Sequence, residues 1–228
     1  MKLEVCAATI ESALNAHAGE ADRIELCRDL YLDGLTPRKK TIKTVLKRLD
    51  IPVFILVRPR SGNFVYSEME FNRMLETIEF VKSAGCHGIV SGVLNLDNSI
   101  DIKRTAKLVD SALPLPFTFH RAFDLVNDKQ SAAHSLGAIG VKRILTSGGK
   151  ARAIDGLDSL KSLQEAIGNQ IIIMPGGGLR PEQVNQFKES GFKELHSSAR
   201  PIEDHVIKSI KIHSDRSVIA AFKREMFT

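Results

Sequence analysis

An α/β protein folded as a single (β/α)8 TIM barrel is what this 228-residue sequence predicts, and three observations carry the prediction. Short apolar or β-branched runs alternate with longer amphipathic stretches along most of the chain. The strand-helix unit recurs about eight times in about 200 residues, the count at which a parallel sheet closes on itself. No Gly-x-Gly-x-x-Gly follows the first strand, which disfavours the alternative, an open doubly wound sheet.

Taken in order, strands are predicted near 2–6, 23–27, 53–58, 88–93, 115–120, 143–146, 171–174 and 194–196. Helical patterns fall between them near 10–17, 38–48, 68–83, 102–112, 129–137, 156–167 and 181–189. Several helix starts have a physical signal. Thr36-Pro37 offers an N-cap before a proline, Ser67 with Glu70 makes a capping box, and Arg180-Pro181-Glu182 opens another helix. Gly19, Gly85, Gly140 and Gly191 each follow a helix, where a left-handed C-terminal cap suits glycine. The barrel is therefore placed at 1–200. Residues 201–228 are read as a C-terminal extension whose amphipathic segment, Arg216 to Met226, packs on the barrel or on a partner subunit.

Composition is that of an ordinary globular chain, 43% hydrophobic and 26% charged. The net charge of +5 raises the question of nucleic acid. Only Arg38, Lys39, Lys40, Lys43, Lys47 and Arg48 form a dense basic stretch, and these read as the solvated face of a helix. No nucleic-acid partner is expected. No run approaches the roughly 20 apolar residues of a membrane span, and Met1-Lys2-Leu3-Glu4 enters a strand without a basic and apolar leader. A cytoplasmic protein with reduced Cys6, Cys27 and Cys86 is the expectation.

A barrel of this kind carries its site at the carboxyl ends of its strands. Leu3-Glu4-Val5-Cys6 and Ile24-Glu25-Leu26-Cys27 repeat one pattern there. With the period of two, Glu4, Cys6, Glu25 and Cys27 face inward, both thiols at the rim and both glutamates one layer beneath. The thiols read either as a soft-metal site selecting Cu(I) or as two small buried hydrophobes. Zinc would need further ligands, one from His196 or His120. Cys86 and His87 precede the fourth strand, at the opposite end, and read as a plain turn.

Glu4, Glu25, Arg58, His120 and Arg121 form a second candidate set, in which carboxylates and imidazole serve as acid or base and arginines clamp an anionic or carbonyl substrate. The same residues also suit an ion-pair network filling the upper barrel. Gly176, Gly177, Gly178 and Arg180 after the seventh strand, with Ser197 and Ser198 after the eighth, lie where many barrels hold a phosphate on backbone N–H groups. A tight strand-to-helix turn also needs such glycines.

Together, Asp22-Arg23-Ile24-Glu25-Leu26-Cys27, Gly34-Leu35-Thr36-Pro37, Arg58-Pro59-Arg60, Phe119-His120-Arg121-Ala122-Phe123-Asp124, Leu145-Thr146-Ser147-Gly148, Gly176-Gly177-Gly178-Leu179-Arg180 and His196-Ser197-Ser198-Ala199 resemble the CutC family, in order over about residues 2 to 200. The resemblance implies a cytoplasmic TIM barrel of copper homeostasis, a homodimer, with family cysteines at Cys6 and Cys27. It brings no agreed reaction. The chain departs from the family pattern at Asp33, where a glycine is usual, at Asn63, where an aspartate is usual, and in a shorter tail.

Two functions are thus expected from different classes. One is a copper-homeostasis protein binding Cu(I) through Cys6 and Cys27, with His196 as third ligand. The other is a lyase or isomerase acting on a small anionic or phosphorylated substrate. No lysine falls at an inward strand position, which weighs against a Schiff base.

Overall fold

The computed structural model describes residues 1–201 and 213–227 and shows eight parallel strands. They are β1 (Lys2–Ala7), β2 (Arg23–Leu26), β3 (Val53–Leu56), β4 (Gly88–Ser91), β5 (Phe117–Phe119), β6 (Arg143–Thr146), β7 (Ile172–Pro175) and β8 (Glu194–Ser197). The order β7-β6-β5-β4-β3-β2-β1-β8 is that of a ring, and a parallel bridge between Gly176 and His196 brings its two ends together. Helices alternate with the strands: α1 (Ile10–Ala18), α2 (Lys39–Leu46), α3 (Glu68–Ser83), α4 (Ile102–Ala112), α5 (Lys129–Ala138), α6 (Leu157–Ile167), α7 (Val184–Glu189) and α8 (Arg216–Phe227). Part of the predicted tail, residues 202–212, lies outside the described residues.

Strand polarity follows the period of two. Leu3, Val5, Ile24 and Leu26 point outward into the main apolar core beneath the helices, while Cys6 and Cys27 join Phe54, Leu56 and Val90 in a second cluster inside the ring. The lower ring is filled by charge and one aromatic. The Phe54 ring lies 4.7 Å from the Arg23 guanidinium and 5.4 Å from that of Arg143. Gly88 makes room for it, since a Cβ there would sit 2.5 Å from the ring. Burial of α8 residues Ile219 and Phe222, and the 2.6 Å ion pair of Lys223 with Asp22, seat α8 against the barrel beside α1 and α7. It stands where an eighth outer helix belongs.

Most of the local start and stop signals are present in the fold. The Ser67–Glu70 capping box is present, and Gly85, Gly140 and Gly191 take left-handed φ of 85°, 88° and 80°. Two signals differ. Helix α2 begins at Lys39 with Arg38 as its N-cap, because the Thr36 hydroxyl is occupied by Arg58, accepting its N–H at 2.8 Å and donating to its carbonyl at 3.0 Å. Gly19 has φ of −90°. Its lack of a side chain serves packing, for a Cβ would lie 2.8 Å from Ile219 on α8.

Candidate active site

Register decides which inward side chains meet. Cys6 stands opposite Glu25 and Glu4 opposite Arg23 across the β1–β2 pair, and Glu4 faces His196 across β1–β8. The two Glu-x-Cys segments are therefore staggered by two residues, and Glu25 lies level with Cys6 instead of beneath it. The stagger follows from the tilt of strands in a closed barrel.

At the centre is Glu4, fully buried. Its carboxylate accepts from Arg23 Nε at 2.5 Å and meets His196 Nδ1 at 2.7 Å, while Arg23 continues to Glu194 at 2.6 Å and Glu194 to Arg143 at 2.9 Å. Burial alone would raise the Glu4 carboxyl, but Arg23 and His196 outweigh it and hold it at about 2. An ionised Glu4 only accepts, so His196 carries a proton on Nδ1. Burial lowers the His196 imidazolium, yet the Cys6 thiol, Glu4 and Glu25 together raise it well above its ordinary range.

Glu25 behaves oppositely. Burial pushes its carboxyl up to about 7 against the attraction of His196, whose Nδ1 is 3.6 Å from Oε2. That oxygen has no hydrogen-bond partner among the described residues. The Cys6 and Cys27 sulfurs are 3.6 Å apart, and this contact, with burial, holds the Cys6 thiol well above its ordinary value. Ligand atoms of Cys6, Glu25 and His196 all lie within 4.8 Å of one another.

Above these groups opens a cavity of about 500 Å³ at the carboxyl ends of the strands. It is lined by ten of the fourteen predicted site residues: Cys6, Glu25, Arg58, His120, Arg121, Gly177, Gly178, His196, Ser197 and Ser198. Four stand back from it. Glu4 lies deeper, Cys27 is sealed in the apolar cluster, and Arg180 donates to the Arg200 carbonyl at 2.7 Å. Gly176 belongs to the ring closure, where a Cβ would meet Leu145 at 2.4 Å. Cys86 is buried at the far end, and His87 Nδ1 accepts the Val53 N–H at 3.2 Å, as a turn residue would.

The arginines divide their roles. Arg58 donates to the carbonyls of Leu32, Gly34 and Gly62 at 2.7, 2.9 and 3.0 Å, so it ties the β2 loop to the β3 loop. Arg121 is 42% exposed in its side chain, paired with Asp124 at 2.8 Å and bonded to Ser147 at 2.9 Å. Its guanidinium lies over Gly177, where a Cβ would come within 3.2 Å. Sequence reasoning passed over Phe64 and Arg200, which also line the cavity. Neither has a spacing signal, since both lie in loops.

Comparison with known proteins agrees with this architecture. The sequence profile of the CutC family matches residues 1–201. The chain is 42% identical over 207 residues to the copper homeostasis protein cutC homolog of Homo sapiens, covering 90% of this chain and 76% of that one. It is 43% identical over 197 residues to a family protein CutC of Salmonella paratyphi B, covering 86% and 79%. A crystal structure assigned as a CutC copper homeostasis protein, from Streptococcus agalactiae, superposes with a TM-score of 0.82 at 32% identity, covering 87% of this chain and 98% of its own. An aldolase, QR15, shares the fold alone, with a TM-score of 0.71 at 9% identity over 100% of this chain and 96% of its own.

Proposed function

The chain belongs to the CutC family of copper homeostasis proteins, and from that premise we propose that it binds Cu(I) at the inner end of the barrel mouth. Cys6 and Cys27 supply thiolates and His196 an imidazole nitrogen. The observation that carries the reading is the convergence of two sulfurs 3.6 Å apart with His196, which Glu4 holds through Nδ1. Soft thiolates favour Cu(I), and a carboxylate on the far nitrogen of a ligating histidine is the usual outer support. The Cys6 thiol keeps its proton at neutral pH and His196 is held as an imidazolium, so the ion displaces the Cys6 proton and the one on His196 Nε2 on binding. Anaerobic Cu(I) titration against a competing chelator tests this. The Cys6→Ser/Cys27→Ser double variant should lose tight binding; equal affinity in both proteins refutes the site.

A second reading is supported by the cavity itself. A lyase or isomerase acting on a small anionic substrate would use Glu25 as acid or base, with Arg121 on the rim as the charge clamp. Gly177, Gly178 and Ser198 would cradle the anion. Among the described residues no lysine lines the cavity, which supports chemistry without a Schiff base. Phosphate bound at Gly177 and Ser198 in crystals would uphold this reading, and phosphate-soaked crystals with solvent alone there would end it.

The resemblance also supports a cytoplasmic homodimer. No described helix is long and apolar enough to cross a membrane. Light scattering on the purified protein should give twice the chain mass.

A further inference from the structure

His120 occupies a place in the cavity that neither acid-base chemistry nor packing accounts for. Its Nδ1 accepts the Ala122 N–H at 3.3 Å, so a neutral ring must carry its proton on Nε2. Nε2 is buried and has no hydrogen-bond partner among the described residues. A buried donor left unpaired costs free energy, so its persistence needs a reason. The ring is also held in place: a Cβ at Gly92 would lie 2.7 Å from it, and Phe119 meets it edge-on.

One aromatic side chain packs beside this ring. The Phe64 ring, half-buried in the loop between β3 and α3, is 4.8 Å from the His120 ring and 5.0 Å from the Arg58 guanidinium. Arg58 Nε is likewise buried without a partner. Two side chains that each carry an unpaired donor thus flank one aromatic ring at the edge of the cavity. The loop carrying that ring is exposed at Ser61, Gly62 and Asn63.

We propose that His120 Nε2–H donates a hydrogen bond to a carbonyl oxygen of a small anionic carbonyl compound, and that Phe64 swings aside to admit that oxygen. The anionic end of the ligand lies toward Arg121 and Arg200 on the rim. Burial, reinforced by Arg58, holds the His120 imidazolium near 3, so the ring stays a neutral donor throughout the physiological range. Fixed as a donor, it polarises a carbonyl without itself exchanging a proton. This inference rests on the second reading above, that the cavity takes a small anion, and is independent of copper.

The test is nitrogen-15 NMR of histidine-labelled full-length protein with pyruvate and dihydroxyacetone phosphate as separate probes, which distinguish a carboxylate from a phosphate as the anionic end. The expected result is a proton on Nε2 of His120 at neutral pH, with a resonance that shifts saturably with at least one probe. Acetate, which lacks a ketone carbonyl, should leave it in place. His120→Phe, which keeps a ring but has no donor, should weaken that probe's binding about tenfold, the loss of one buried hydrogen bond. Phe64→Ala should not weaken it. A proton on Nδ1, or probes that move Arg121 and Ser198 but leave Nε2 unchanged, overturns the inference alone. Absence of any shift in the cavity with either probe overturns the anionic reading, and this inference with it.

Discussion

Replacing Glu25 by glutamine isolates what its charge costs the fold. In the folded chain burial raises this carboxyl from 4.5 to about 7, against the opposing pull of His196. Between those values the unfolded chain has released a proton that the folded chain keeps. The folded state therefore binds more protons, and stability falls as pH rises from about 4.5 to about 7. At about 1.4 kcal/mol for each pH unit, the loss exceeds about 3 kcal/mol at pH 8 and stays under about 1 kcal/mol at pH 5. Glutamine keeps the shape and carries no charge. Relative to wild type, Glu25→Gln should thus gain about 2 to 3 kcal/mol between pH 5 and pH 8. Urea unfolding followed by circular dichroism at both pH values measures it. A wild-type-minus-variant difference that is the same at both would refute the assignment of Glu25 as the buried, proton-holding carboxyl.

Gly176→Ala should cost about 1 to 3 kcal/mol in the same assay, because its Cβ would lie 2.4 Å from Leu145 at the point where the ring closes; an unchanged midpoint would contradict that packing. Phe222→Ala should cost about 3 to 5 kcal/mol if α8 is an integral outer helix, since the ring is fully buried against the barrel. A change under about 0.5 kcal/mol would mark α8 as dispensable. Arg58→Lys should speed hydrogen exchange in both loops that Arg58 joins, around Gly34 and Gly62, because an ammonium cannot span three carbonyls as the planar fork does. Exchange that changes in only one loop would show that Arg58 does not couple them.

The sequence held the barrel because its evidence is periodic and local. Strand alternation separated Leu3 and Val5 from Glu4 and Cys6, and helix signals such as Ser67 with Glu70 needed only neighbours three residues away. The same locality gathered most of the cavity lining, since position at a strand's carboxyl end is legible once strands are placed. Caps were less secure. Thr36 does not cap α2, because its hydroxyl is claimed by Arg58, 22 residues away.

What the tertiary structure alone decided is how these groups meet. The Glu-x-Cys repeat determines that two carboxylates and two thiols enter the barrel, but the register between β1 and β2, set by strand tilt, places Cys6 level with Glu25 and leaves Cys27 in the apolar cluster. Charge states followed from the same source. Glu4 and Glu25 occupy like positions in like tetrapeptides, yet one is held at about 2 and the other at about 7, because Arg23 reaches Glu4 directly and burial dominates at Glu25. Residue type and spacing are properties of the chain. Desolvation and partner distance are properties of the closed barrel, where residues 192 positions apart, Glu4 and His196, share a hydrogen bond.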